Sequence, residues 1–170
     1  MFALVKLLDI VLFPLFLTIA LAAPLIDAQT CLPRDLFPDH LINLKQWYTR
    51  EFGDYLFIEK PNFFIGLIWL ELLFQWPLTL LNLYGILGAK SWLPTTCLIY
   101  GNSSFTSMAA VLAEVTGSGK ASDKMLFTYL PFLGCGVLAI LRGLMPPSAK
   151  ATSGSATIGR RSKLARKKKA

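Results

Sequence analysis

Charge is scarce in this sequence: Asp, Glu, Lys and Arg together make up 16% of its 170 residues, against about 25% in an ordinary soluble domain. So few charges cannot cover a globular surface, which argues against a water-soluble domain. Histidine is almost missing, with His40 alone. Cysteine occurs three times, as Cys31, Cys97 and Cys135, in different segments and without a CxxC pair. That set provides neither a disulfide framework nor a structural zinc site and fits small buried apolar residues. No metal ligand set and no cofactor motif is present; Gly117-Ser118-Gly119-Lys120 is too short for a phosphate loop and follows no strand. Acids are absent from one region altogether, residues 150–170, which carry eight Lys or Arg. Most of the net charge of +7 lies there, so a nucleic-acid-binding domain is a poor reading and a basic flank beside anionic lipid is a better one.

What the chain does have is apolar residues, 54% of the total, gathered into four runs near the 20 or so that cross a bilayer. They cover about residues 2–26, 63–87, 93–115 and 125–144. The third is the weakest, because Gly101-Asn102-Ser103-Ser104 sets a polar stretch inside it. The small residues Leu21-Ala22-Ala23-Pro24 resemble a signal cleavage region, but the following proline and Asp9 in the leader speak for a retained span. The fold class expected is therefore all-α: a polytopic four-transmembrane-helix bundle over residues 1–145, followed by a disordered basic tail over 146–170.

The distribution of Lys and Arg sets the expected orientation. The tail places the C-terminus in the cytoplasm, and four spans return the N-terminus to the same side. Residues 27–62 and 116–124 then face the lumen. Within the longer of these, Leu41, Leu44, Trp47, Tyr48 and Phe52 recur at helical spacing after Pro38, with Lys45, Arg50 and Glu51 between them. This is the pattern of an amphipathic luminal helix lying on the bundle or at the membrane surface. The chain finishes Lys167-Lys168-Lys169-Ala170, and Lys167 and Lys168 resemble a dilysine retrieval signal of the endoplasmic reticulum.

An ionisable side chain in hydrocarbon costs about 2.5–3.5 kcal/mol on insertion scales, which makes it a functional candidate. Asp27 falls at the luminal end of the first span. Glu71 falls roughly 12 Å inside the second, at about 1.5 Å per residue, with Gln75 one turn beyond it on the same face. Thr106, Ser107 and Glu114 of the third span and Tyr129 of the fourth belong to the same half of the bilayer. Two such carboxyls would share a proton rather than both ionise. With Trp47, Tyr48, Phe74 and Tyr129 as walls, they would suit a hydrophobic ligand carrying a cation or a hydroxyl. The plainer alternative is that Glu71 and Gln75 are hydrogen-bonding glue between helices.

Three stretches carry a resemblance: Leu32-Pro33-Arg34-Asp35-Leu36-Phe37-Pro38, Trp47-Tyr48-Thr49-Arg50-Glu51-Phe52-Gly53-Asp54 and Glu71-Leu72-Leu73-Phe74-Gln75-Trp76-Pro77. In that order they resemble the sigma-2 receptor family of the EXPERA domain superfamily. The resemblance implies a four-helix membrane protein of the endoplasmic reticulum, a homodimer, with a luminally biased cavity for sterols, oxysterols and cationic amphiphiles. It implies that Asp27 and Glu71 form the acidic end of the cavity and that Tyr48, Gln75, Ser107 and Tyr129 line it, Ser107 standing where the family has threonine. It further implies that Asp54 is a luminal residue affecting ligand binding. The superfamily also holds the emopamil-binding sterol isomerase, whose pattern includes an intramembrane histidine with glutamates. The only histidine here lies in the luminal loop, so no catalytic residue is assigned.

The function expected is a non-enzymatic sterol-binding membrane receptor of sterol homeostasis or trafficking. Its expected partners are the lipid bilayer, a second copy and a sterol-transport membrane protein. An isomerase-like enzyme and a structural or partner-binding membrane protein without ligand are the alternatives.

Overall fold

The chain is described by a computed structural model over residues 2–120 and 122–146. The basic tail from residue 147 on, with Lys167 and Lys168, lies outside them. Helix α1 spans Phe2–Leu25 and is followed by two short 3₁₀ turns, Asp27–Thr30 and Arg34–Leu36. Helix α2, Asp39–Phe52, and the short α3, Tyr55–Glu59, complete the first connection. Helices α4, Asn62–Leu70, and α5, Trp76–Leu87, form one continuous rod through a π-helical turn at Glu71–Gln75. Helices α6, Leu93–Gly117, and α7, Asp123–Gly143, close the bundle. Among the described residues there is no strand.

Three segments are long and apolar enough to cross a membrane: Ala3–Thr30, Asn62–Leu87 and Asp123–Gly143. Helix α6 is long enough at 25 residues, but Thr95, Thr96, Asn102, Ser103, Ser104, Thr106 and Ser107 leave it less apolar than the other three. Large apolar side chains point outward all round, Leu73 at 72% and Phe127 at 75% exposure among them. A water-soluble monomer rarely shows so continuous an apolar surface; a bilayer makes it the favourable one. The chain is an all-α membrane protein.

The helices are joined by devices that suit a dry environment. Pro24 lacks the N–H that would serve the Ala20 carbonyl inside α1, and the Trp76 indole of α5 donates to that carbonyl at 3.0 Å. A proline in a span is tolerated because a neighbouring helix satisfies the freed group. Pro77 acts one helix later. Its ring would clash with the carbonyl four residues back, and the chain widens just before it, so that the Trp76 N–H reaches the Glu71 carbonyl in a π turn. Helices α6 and α7 touch backbone to backbone: a Cβ at Gly101 would come within 2.7 Å of the Ile140 nitrogen. Small residues at such a crossing replace the hydrophobic drive that lipid removes.

Two clusters fill the interior. At the end that carries α2 and α3, Tyr55, Leu56, Phe57, Phe64 and Ile68 pack with Val111, Val115, Met125 and Tyr129. At the opposite end, Leu12, Phe16 and Ile19 meet Leu93, Cys97, Tyr100, Cys135 and Ala139. There Phe16 and Tyr100 stand edge-on with ring centroids 5.1 Å apart.

The expected amphipathic helix forms as α2, but its buried face differs from the sequence reading. Ile42 and Lys45 are buried, whereas Leu44 and Trp47 are exposed at 47% and 57%. Leu44 and Trp47 point away from the bundle, where a bilayer interface rather than the protein would cover them.

Candidate functional site

The connection after α2 makes the first part of the site. Gly53 adopts a φ of 65°, the left-handed conformation glycine takes freely, and ends α2. The next residue, Asp54, is thereby turned inward and becomes fully buried. Its Oδ2 accepts from the Tyr129 hydroxyl at 2.8 Å and from the Tyr48 hydroxyl at 3.2 Å. Tyr129 belongs to α7 and Tyr48 to α2, so one carboxylate ties three elements together. Its other oxygen, Oδ1, is buried without a hydrogen-bond partner. Burial pushes the Asp54 carboxyl above its ordinary value, while the Tyr129 and Tyr48 hydroxyls pull it back. Tyr48 is raised too, first by burial and then by the Asp54 charge.

Asp27 and Glu71 are the second part. Asp27 opens the 3₁₀ turn at the end of α1, and Glu71 opens the π turn. Both are partly buried, and Asp27 feels the charges of Glu71, Lys45 and Asp54. Three acids therefore share one end of the bundle. A π turn is a frequent feature of functional sites because it re-aims the side chains around it, and here it carries both Glu71 and Gln75.

Gln75 is the third part. Its amide nitrogen donates to Ser103 Oγ at 3.0 Å and to Ser107 Oγ at 3.1 Å, which binds the π turn to α6. The structure thus brings Tyr48, Asp54 and Tyr129 into one group and Gln75 and Ser107 into another, and sets Asp27 within the field of Glu71.

Other sequence expectations change. Trp47 and Phe74 are exposed, at 57% and 44%, and are not walls of an interior site. Thr106 is exposed and donates to the Asn102 carbonyl of its own helix. Glu114 is exposed and accepts weakly from Tyr55 at 3.4 Å. An α-helix 25 residues long turns through every direction, and position along it alone does not say which residues face inward.

Two contributors were missed by sequence reasoning. Ser103 was grouped with a polar interruption of the third span; its place four residues before Ser107, on one helix face, was the available signal. Lys45 falls between the apolar positions of α2 in the sequence pattern, yet it is 9% exposed. Its ammonium donates to Thr30 Oγ1 at 2.8 Å and lies 4.7 Å from the centroid of the Phe57 ring. Burial and the nearby Lys60 lower its pKa to about 8, against the pull of Asp27, Cys31 and Asp54. Charge on the polar face of a helix gave no hint of this.

Among known proteins, the family described as EXPERA (EXPanded EBP superfamily) matches residues 40–143. The sigma intracellular receptor 2 of Homo sapiens and that of Macaca fascicularis are each 36% identical over 88 residues, covering 51% of this chain and 50% of the relative. The sigma intracellular receptor 2 of Xenopus tropicalis is 27% identical over 136 residues, 72% of this chain and 80% of the relative. The chain spans about half the length of the first two curated relatives it matches. The resemblance carried by the three sequence stretches is thereby borne out, and the chain, an all-α membrane protein with a buried acidic cluster at one end of its bundle, belongs to the EXPERA family.

Proposed function

We propose that this protein is a non-enzymatic membrane receptor for a sterol or oxysterol, bound at the end of the bundle that carries α2 and α3. The observation that carries the reading is the convergence of Asp27, Glu71 and Asp54 there, with Lys45 the cation among the groups acting on Asp27. Carboxyls in excess of cations in a dry site are costly unless something else satisfies them. A ligand hydroxyl, or the ammonium of a cationic amphiphile, does so and brings its own apolar body. Asp27 and Glu71 make the polar end. The Asp54–Tyr48–Tyr129 group braces the wall behind it, and the Gln75–Ser103–Ser107 bonds hold the π turn against α6.

In this reading α6 crosses the membrane with the other three rods, because its buried face is packed against α5 and α7 along its length. Both termini then lie on the cytoplasmic side, and the acid cluster lies toward the lumen of the endoplasmic reticulum. A homodimer and a sterol-transport membrane partner complete the proposal.

An isomerase would need a proton donor and a proton acceptor on either side of a sterol ring. The sole histidine, His40, is exposed in the first turn of α2, which favours binding over catalysis. Photo-crosslinking of a sterol probe to the purified protein tests the reading. Labelling should map near Asp27 and Glu71, be displaced by free sterol, and fall at least tenfold in Asp27→Asn and Glu71→Gln. Equal labelling in all three proteins would sink the acid-site reading. Conversion of the sterol to a ring isomer would replace it with the enzyme.

A further inference from the structure

A concave feature adjoins the acid cluster through Lys45, on which Asp27 and Asp54 act. It is a cleft of about 310 Å³ between the first 3₁₀ turns, α2 and α3, lined by Arg34, Lys45 and Lys60 and walled by Phe37, Ile42 and Phe57. No acid lines it. Among the described residues, none of the three cations makes an ion pair with a carboxylate. The two lysines are also drawn together. Lys45 Nζ donates to Thr30 Oγ1 at 2.8 Å and Lys60 Nζ to the Thr30 carbonyl at 3.3 Å. Two ammonium groups on one residue repel, and Lys60 is indeed among the influences that lower the Lys45 pKa. The backbone adds its own cost. Lys60 holds a φ of 49°, a left-handed conformation that a residue with a Cβ rarely adopts, and this turn ends α3.

We propose that this cleft is an anion site for a phosphate monoester, carried on a lipid head group or free in solution. A doubly charged phosphate offers three acceptor oxygens. It would accept from Lys45 and Lys60 at once, while Arg34 closes the outer side with a forked contact. The cation pair that is costly alone becomes a pre-arranged receptor, in which repulsion between the lysines is replaced by attraction to a shared anion. Gln46 in the lining supplies a neutral amide donor, while Gln29 and Thr49 donate to backbone carbonyls. The surroundings favour a lipid carrier. Ile58 lines the cleft and is 66% exposed, and Leu36 on the neighbouring turn is exposed to the same degree. Acyl chains could leave over them. The site shares Lys45 with the acid cluster but uses neither Asp27 nor Glu71, so Lys60→Gln and Arg34→Gln test it apart from the sterol reading.

The test uses the full chain in phosphatidylcholine nanodiscs and reads the unfolding temperature. Three additions are compared: phosphatidic acid in the bilayer, phosphatidylglycerol at the same charge density, and inorganic phosphate in the buffer. Phosphatidic acid should raise the unfolding temperature more than phosphatidylglycerol, whose phosphate is a singly charged diester. Lys60→Gln and Arg34→Gln, at exposed positions where folding is not at stake, should each weaken the half-saturating concentration about tenfold, the size of one charge-assisted bond. Lys45→Gln should do the same if it folds. A shift with inorganic phosphate alone, lost in the same variants, would assign the site to a free anion. No shift from either phosphate source, an equal shift from phosphatidylglycerol, or a shift unchanged in Lys60→Gln and Arg34→Gln would overturn the proposal.

Discussion

The two ends of the bundle bury charge in opposite ways. At the end away from α2 and α3, Arg142 of α7 is fully buried, and its Nε donates to Asp9 Oδ1 of α1 at 2.5 Å while Nη2 reaches Oδ2 at 3.5 Å. One cation meets one carboxylate in a forked contact, and the charges cancel locally. At the other end, Asp27, Glu71 and Asp54 share a region with one buried lysine, and Asp54 keeps an oxygen without a partner. A closed pair joins α1 to α7 and balances charge for charge. An acid cluster with an unmet acceptor is a poor clamp, and under the proposed function it is where a ligand would be satisfied. Location alone separates structure from function less well than this balance of donors and acceptors does.

If the contrast is right, breaking the closed pair should cost stability and spare binding. Arg142→Met should destabilise by about 3–5 kcal/mol, because it leaves Asp9 partly buried with its partner gone. Sterol labelling near Asp27 should remain in whatever fraction stays folded. Adding Asp9→Asn should recover much of the loss, which thermal unfolding in detergent would measure. Failure to recover would mean that Arg142 acts through packing rather than charge.

The acidic end should respond more mildly and in graded fashion. Tyr129→Phe removes the 2.8 Å donor to a fully buried carboxylate and should cost about 1.5–3 kcal/mol. Tyr48→Phe removes the longer, half-buried contact and should cost about half as much. Both should weaken ligand binding, since Asp54 holds α2 against α7. Equal effects from the two variants would say that Asp54 does not discriminate between its donors.

The smallest effect is one of pH. In the folded chain Lys45 releases its proton near 8 rather than 10.5. Between those values the unfolded chain binds more protons than the folded one, so this residue makes stability rise with pH across that window. The gain should be on the order of 2 kcal/mol, fully present only above the upper value. Lys60, Asp27, Cys31 and Asp54 face the same ammonium. Cys31, whose thiol burial holds above its ordinary value, contributes the opposite slope at the alkaline end. The difference between the wild type and Lys45→Met therefore isolates the lysine. A slope that survives the substitution would assign it to another group.

The rods were legible in the sequence because each is written as a run. Residues 2–26, 63–87, 93–115 and 125–144 were expected, and helices occupy Phe2–Leu25, Asn62–Leu87, Leu93–Gly117 and Asp123–Gly143. Hydropathy over some twenty residues is a large sum of small terms, and single exceptions such as Pro77 do not reverse it. The acids Asp27 and Glu71 were legible for the converse reason: each is a lone large cost inside such a run. Other charges in the runs carried the same signal. Asp9 and Arg142 are two of them, in rods of opposite direction, and their pairing is seen only in the structure.

Which polar residues meet was decided by the tertiary structure alone. Asp54 acquires its place from a left-handed turn at Gly53 and from Tyr129, 75 positions along the chain. Ser103 matters because α6 is seated close enough on α7 and α5 to bring it under Gln75. Lys45 is buried although it occupies the polar stripe of α2, because the bundle covers that stripe and leaves Leu44 and Trp47 outside. That the chain lives in a membrane as helical rods could be read along the sequence, since burial in lipid is a property summed along one segment. The make-up of the acidic end was left to the fold, since a hydrogen bond or a shared field is a property of two segments, and their distance is set only when the rods are packed.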